Sequence, residues 1–198
     1  MRRIVVRKRI IYCLSALTLL LVGPGLLAGH QLSSRAPEGL LAGSIAGIYG
    51  KELPVRWQEL ILDSTQKEML LKEMRYYKSL PDTLAFGVIR NDAAANYVFV
   101  EDALSKTETF TYAVYLTAEG EIIDVDVLIY RENYGGEIDY PAFRKQFRGK
   151  QRPQELVLGR SIQNISGATI SVRSMTLATR DLLSLFARLN PDIRRISE

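Results

Sequence analysis

Tyr112-Ala113-Val114-Tyr115-Leu116-Thr117-Ala118-Glu119-Gly120-Glu121-Ile122-Ile123-Asp124-Val125-Asp126-Val127 is the stretch that decides the fold class. Two runs rich in Val, Ile and Tyr flank Ala118-Glu119-Gly120, so the segment reads as two antiparallel strands joined by a tight turn. Alternation along the second strand puts Asp124 and Asp126 on one face. With no third ligand evident, these two acids read as the solvent side of a strand and not as a metal site. Outward from this hairpin, Leu84–Ile89 and Ala95–Val100 join Thr109–Leu116 and Ile122–Tyr130 as strands. Further upstream, Leu60, Ile61, Met69, Leu70, Leu71 and Met74 fall at near-helical spacing, which predicts one amphipathic helix within Val55–Tyr77 that ends before Pro81. Ala36–Glu52 is rich in Gly and Ala and reads as a linker or a weak helix. Downstream, Phe143 and Phe147 lie four apart in a short helix that they anchor to the sheet, its charges on a solvated face. Ile170, Met175, Leu177, Ala178, Leu182, Leu185 and Leu189 then predict a helix that begins near Thr169. The fold class is α+β: an antiparallel sheet flanked by helices, with one N-terminal transmembrane helix.

That last element is read from the first thirty residues. Arg2, Arg3, Arg7, Lys8 and Arg9 precede an apolar run from Ile10 to Ala28. The run is about 19 residues, close to the roughly 20 of a membrane span and longer than the usual signal-peptide core. An uncleaved single-pass anchor is the favoured reading, and a cleaved signal segment ending near Ala28-Gly29 is the alternative. The basic cluster stays cytoplasmic under the positive-inside rule, so the remainder is extracytoplasmic or periplasmic, attached to the inner membrane. The net charge of +4 resides in this cluster. The rest of the chain is nearly balanced and has no basic stripe, so nucleic acid is not expected as a partner. The division that follows is 1–30 anchor or signal segment, 31–80 linker and amphipathic helix, and 81–198 one folded domain.

The single cysteine, Cys13, lies inside the apolar run, and the single histidine, His30, just after it. The exported part therefore has neither thiolate nor imidazole. That excludes His/Cys metal centres, covalent haem and His-dependent triads there. Redox chemistry in this domain requires an organic cofactor. No Gly-rich nicotinamide fingerprint follows any strand, which weighs against an independent reductase.

Two short segments carry the functional reading. Ser166-Gly167-Ala168-Thr169, followed by Ile170-Ser171-Val172-Arg173, puts hydroxyls and a flexible turn at a helix N-terminus, where free N–H groups and the helix dipole favour a phosphate. Alone, the same residues read equally well as an N-cap. Tyr130-Arg131-Glu132-Asn133-Tyr134-Gly135-Gly136-Glu137 has paired glycines that let the chain approach a planar ligand, with Tyr130 and Tyr134 able to stack on it. Alone, it reads as a turn after a strand.

Together these segments resemble the FMN-binding domain family, which includes the flavin-bearing subunits of sodium-pumping NADH:quinone reductase and Rnf complexes. In that family a [Ser/Thr]-Gly-Ala-Thr motif carries FMN through a phosphodiester on its last threonine. The resemblance covers roughly Leu84 to Leu189 and implies covalent FMN on Thr169. Ser166 and Ser171 would then shape the attachment turn, Gly167 and Ala168 would leave its backbone open to the phosphate, Arg173 would add charge one turn in, and Glu132, Tyr134, Gly135, Gly136 and Glu137 would line the ring pocket. No catalytic or metal residue is implied. The function implied is electron relay within a redox assembly, not stand-alone enzyme activity, with an exported flavin transferase and membrane or periplasmic redox proteins as partners. Six positions ahead of the acceptor the family commonly has an acid, and this chain has Gln163. That difference sets a noncovalent FMN binder, or a flavin-free accessory subunit, beside the covalent flavoprotein.

Overall fold

A computed structural model describes residues 38–92 and 94–198. The elements run α1 (Glu38–Tyr49), β1 (Val55–Ile61), α2 (Ser64–Glu73), β2 (Thr83–Asn91), β3 (Ala94–Leu104), β4 (Thr109–Leu116), β5 (Ile122–Ile129), a 3-10 turn (Gly136–Asp139), α3 (Pro141–Arg144), a second 3-10 turn (Pro153–Glu155) and α4 (Thr169–Ser197). The five strands form one antiparallel meander in the order β1-β2-β3-β4-β5. The α+β class and the hairpin are as the sequence predicts, with Gly120 at φ 88° in the turn. No helix among the described residues is long and apolar enough to cross a membrane. The apolar run Ile10–Ala28, its basic flank, Cys13 and His30 lie outside the described residues.

Alternation gives the sheet two buried faces. Leu84, Phe86, Phe99, Phe110, Tyr112 and Val114 pack beneath α4 and α2. Val98, Val100, Ala113 and Tyr115 pack beneath Leu41 and Ile45 of α1. The 36–52 segment is thus an ordered helix in its greater part: Leu41 and Ile45 are one turn apart, and the Tyr115 hydroxyl donates to Ser44 Oγ at 2.7 Å. Packing overrides the low helix propensity of its glycines, which sit on the side away from the sheet, with open space where a Cβ would lie.

The expected helix across Val55–Tyr77 is corrected to a strand followed by a shorter helix. Val55–Ile61 pairs with Thr83–Ile89 along its whole length. Asp63 then begins α2 with a capping box: the Gln66 N–H donates to Asp63 Oδ1 at 2.8 Å, and the Asp63 N–H donates to Gln66 Oε1 at 2.9 Å. Leu60 and Ile61, at the end of the strand, fall by coincidence in helical register with the residues of α2.

After α2 the chain is clamped to α4 by one carboxylate. Asp181 is 1% exposed and accepts from the N–H groups of Arg75 (2.9 and 3.0 Å), Tyr76 (2.7 Å) and Tyr77 (3.2 Å). Asp181→Asn replaces one accepting oxygen by a donor. It is expected to cost about 2 kcal/mol, the cost of leaving buried N–H groups short of an acceptor. Urea unfolding measures this, and an unchanged midpoint would show that the clamp contributes nothing.

The solvent-side reading of Asp124 and Asp126 is also corrected. Asp124 is 2% exposed. It receives Arg144 Nη2 at 3.1 Å, Arg148 Nη2 at 2.7 Å and Arg148 Nε at 3.2 Å, while Arg144 also pairs with Asp126. The cause is the 141–149 segment, which folds over β5. Phe143 and Phe147 point into the core, as predicted, and the next residue after each is an arginine that meets the acids. The charges expected on a solvated face are therefore largely spent on this internal pairing.

Candidate functional site

The groove at the start of α4 is built from three places far apart in sequence: the β3–β4 turn, the loop after β5, and the turn into α4. It is lined by Ser105, Lys106, Glu132, Tyr134, Gly167, Ala168, Thr169, Ile170 and Ser171, and its volume is about 190 Å³.

The turn into α4 is formed by Gly167, whose φ of +89° is one that L side chains rarely adopt. Ala168 follows as the N-cap residue and makes no side-chain capping bond. Thr169 is therefore the first helical residue and not the cap, so the capping explanation of its hydroxyl does not hold. Its side chain is exposed, and its Oγ1 accepts from Asn164 Nδ2 at 3.1 Å. The helical ladder begins with the Val172 N–H on the Ala168 carbonyl at 2.9 Å. The N–H groups of Thr169, Ile170 and Ser171 lie ahead of it, at the positive end of a 29-residue helix.

Behind the groove is a cluster of hydroxyls. Ser105 Oγ lies 2.9 Å from Ser171 Oγ and 3.0 Å from the Tyr130 hydroxyl, and Tyr130 Oη lies 3.2 Å from Ser171 Oγ. The Tyr130 hydroxyl also donates to the Tyr134 carbonyl at 2.8 Å. Tyr130 packs on Phe110 with ring centres 5.9 Å apart. It is a structural hub that joins the three segments. Tyr134, by contrast, is 84% exposed and presents its ring to solvent.

Glu132 lies at the groove but works as a brace. Its Oε1 accepts from the N–H groups of Thr107 at 2.7 Å and Glu108 at 2.9 Å, and from the Thr107 hydroxyl at 3.2 Å. The Thr107 and Glu108 backbone bonds, in that order, hold its carboxyl below the usual range. It thereby fixes the turn that carries Ser105 and Lys106.

The two glycines are unequal. Gly135 has φ +87°, and a Cβ there would lie 2.6 Å from Tyr130 Oη and 3.6 Å from Ala168 Cα. At Gly136 the nearest atom would be Tyr130 Cδ1 at 3.7 Å, an ordinary contact. Gly135→Ala is therefore expected to lower stability by about 1–3 kcal/mol through backbone strain and displacement of the hydroxyl hub. Gly136→Ala should change it by less than about 1 kcal/mol. Equal effects in paired denaturation curves would refute this assignment.

Of the residues singled out in the sequence, Glu132, Tyr134, Gly167, Ala168, Thr169 and Ser171 come together in the groove. Ser166 is exposed just before the turn, and Arg173 is exposed further along α4; neither lines it. Gly135 and Gly136 support it from behind. Glu137 sits in the 3-10 turn with its Oε2 buried and without a partner among the described residues. Ile170, counted in the sequence with the buried stripe of α4, is 45% exposed and lines the groove. Sequence reasoning missed Ser105, Lys106 and Asn164. The polar Ser105-Lys106-Thr107-Glu108 break between two strands was the available signal, and only the fold shows that it meets α4.

Residues 106–184 match the FMN-binding domain family. Among solved structures, the chain is similar to the C subunit of the Na(+)-translocating NADH-quinone reductase from Parabacteroides distasonis ATCC 8503. The TM-score is 0.51 at 14% identity, over 74% of this chain and 83% of that one. This likeness establishes a shared fold. No curated protein sequence matches the chain.

Proposed function

We propose, from the match of residues 106–184 to the FMN-binding domain family, that this chain is a membrane-anchored, extracytoplasmic flavoprotein. It carries FMN covalently on Thr169 and relays electrons between redox partners. The observation that carries the reading is the exposed Thr169 hydroxyl, placed first in α4 with N–H groups ahead of the ladder beside it.

The residues present fit the group. A phosphodiester on Thr169 Oγ1 would lie at the helix N-terminus, where oriented N–H groups favour negative charge. Lys106, which also lines the groove, adds a cation. The groove, at about 190 Å³, is smaller than the roughly 300–1,000 Å³ of an enclosing ligand pocket. Its lining residues would hold the phosphate, and Tyr134, exposed at the groove, would be available to a bound ring. FMN, when bound, supplies one- or two-electron transfer. The protein's task is then placement: Glu132 braces the Lys106 turn, Tyr130 ties the glycine loop to Ser171, and an open groove leaves the ring edge accessible to a partner.

In this reading residues 1–30 are the anchor; the division expected at residue 81 is corrected, because α1, β1 and α2 pack into the same sheet and core as the rest of the chain. The basic cluster before Ile10 supports an inner-membrane orientation with the folded part outside the cytoplasm. Partners would be an exported flavin transferase and membrane or periplasmic redox proteins, as in a multi-subunit quinone reductase.

One observation favours a second reading, a flavin-free accessory subunit. Gln163 stands where the family commonly has an acid, and its amide is engaged with the Arg160 carbonyl at 2.7 Å. Co-expression of the full chain with an exported flavin transferase separates the two. The covalent reading expects one FMN mass increment on the tryptic peptide that holds Thr169, with fluorescence that survives denaturation. Flavin released on denaturation would mean a noncovalent binder, and no flavin at all would favour the accessory subunit.

A further inference from the structure

We infer that Asn164 is a positioning residue for flavin attachment: its amide holds the Thr169 hydroxyl in the rotamer from which the oxygen attacks. This rests on Thr169 being the attachment site.

The inference starts from where the Asn164 amide is mounted. Asn164 leaves a loop fixed on several sides. The Gln163 N–H donates to Gln146 Oε1 at 2.6 Å, and Gln163 Nε2 donates to the Arg160 carbonyl at 2.7 Å. Ser161 Oγ donates to the Glu155 carbonyl at 2.5 Å and accepts from the Val157 N–H at 2.9 Å. Ile162 is fully buried and bridges to Leu158. Two successive amides thus divide the work: Gln163 ties the loop to itself and to the 141–149 segment, and Asn164 ties it to the acceptor. The Gly167 turn then brings the chain back, so that Asn164 Nδ2 meets Thr169 Oγ1 five residues on.

The chemistry needs such a tether. An exposed threonine hydroxyl at the first helical position has more than one staggered rotamer open to it. An N–H donated to Oγ1 takes one lone pair, selects one rotamer, and leaves the hydroxyl proton and the second lone pair outward. In the attachment step, that lone pair forms the bond from Thr169 Oγ1 to the riboflavin-side phosphorus of FAD. The bond from this phosphorus to the bridging oxygen breaks, AMP leaves with that oxygen and the electron pair, and the hydroxyl proton passes to a base of the transferase. No atom changes oxidation state. Fixing the oxygen in advance raises the fraction of encounters in attack geometry.

The test is the initial rate at which a purified flavin transferase with FAD loads the full chain, read as covalent flavin fluorescence. Asn164→Ala and Asn164→Leu, the second close to isosteric, are expected to lower kcat about five- to tenfold, the equivalent of one hydrogen bond. KM for the protein and the thermal midpoint should stay unchanged. Asn164→Gln, which keeps the donor on a longer stem, should restore at least half of the rate. Wild-type rates for both Ala and Leu would overturn the inference, as would a rise in KM or a fall in thermal midpoint that accounts for the loss. Wild-type protein that loads while both variants load equally fast would leave Thr169 as the attachment site and remove only Asn164. Wild-type protein that takes no covalent flavin would overturn both.

Discussion

Thr169→Val is expected to give a normally folded protein that takes up no covalent flavin. Valine keeps the shape of threonine and replaces only the hydroxyl by a methyl. Because Ala168 is the N-cap, the helix keeps its capping unchanged. What the substitution removes is the exposed hydrogen bond from Asn164, so stability should change by no more than about 0.5 kcal/mol. The other hydroxyls of the motif are poor substitutes. Ser171 is 3% exposed and engaged with Ser105 and Tyr130. Ser166 is exposed but precedes the Gly167 turn and does not line the groove. Intact mass and fluorescence after denaturation, with circular dichroism for the fold, measure the result. Flavin retained on the same peptide would move the attachment to Ser166 and defeat the assignment to Thr169.

The second large effect is on stability and depends on pH. Glu101 is fully buried between the sheet and α4. The hydroxyls of Tyr77 and Tyr112 donate to its Oε2 at 2.6 and 2.8 Å, while its Oε1 has no partner among the described residues. Burial pushes its carboxyl up to about 8. The two tyrosine bonds oppose that shift, and the charges of Asp181 and Asp102 add to it. The folded state thus holds a proton that the unfolded state releases near the ordinary carboxylate pKa of about 4.3. Stabilisation from this group is fully present below that value and is lost as pH rises toward 8. On the order of 3–5 kcal/mol should disappear between about pH 5 and pH 9. Glu101→Gln keeps an accepting oxygen for the tyrosines and cannot ionise. It should flatten the upper part of the stability profile and leave the variant more stable than the parent at about pH 9. Parallel profiles for the two proteins in urea would show that Glu101 is not protonated in the fold.

Much of the sheet was legible because its strands are rich in β-branched and aromatic residues and locally connected. The β4–β5 hairpin could be read from one sixteen-residue stretch. The start of α4 could be read from its turn chemistry. What failed were features decided by distant partners. Val55–Ile61 is a strand because β2 lies beside it, and its Leu60-Ile61 pair imitates helical spacing when counted through Asp63. Asp124 looked solvated because the arginines that neutralise it are some twenty residues further on, in α3 and the turn after it. At the candidate site, the residues within the two short motifs were readable only through the family resemblance that those motifs carry. Ser105, Lys106 and Asn164 were not, since a groove wall supplied by another hairpin leaves no periodic trace.

The meander order has a kinetic consequence. Every strand pairs with its neighbour in the chain, so the sheet can zip up through successive hairpins with little loop-closure entropy, a topology associated with fast folding. The Asp181 clamp is different: it joins residues more than one hundred positions apart. Its closure is expected to be the slow, late event of refolding. The groove, which needs α4 seated beside the β3–β4 turn, would mature with that event and not with the sheet. A chain trapped before it would already show strand structure while presenting no ordered Thr169 to a modifying enzyme.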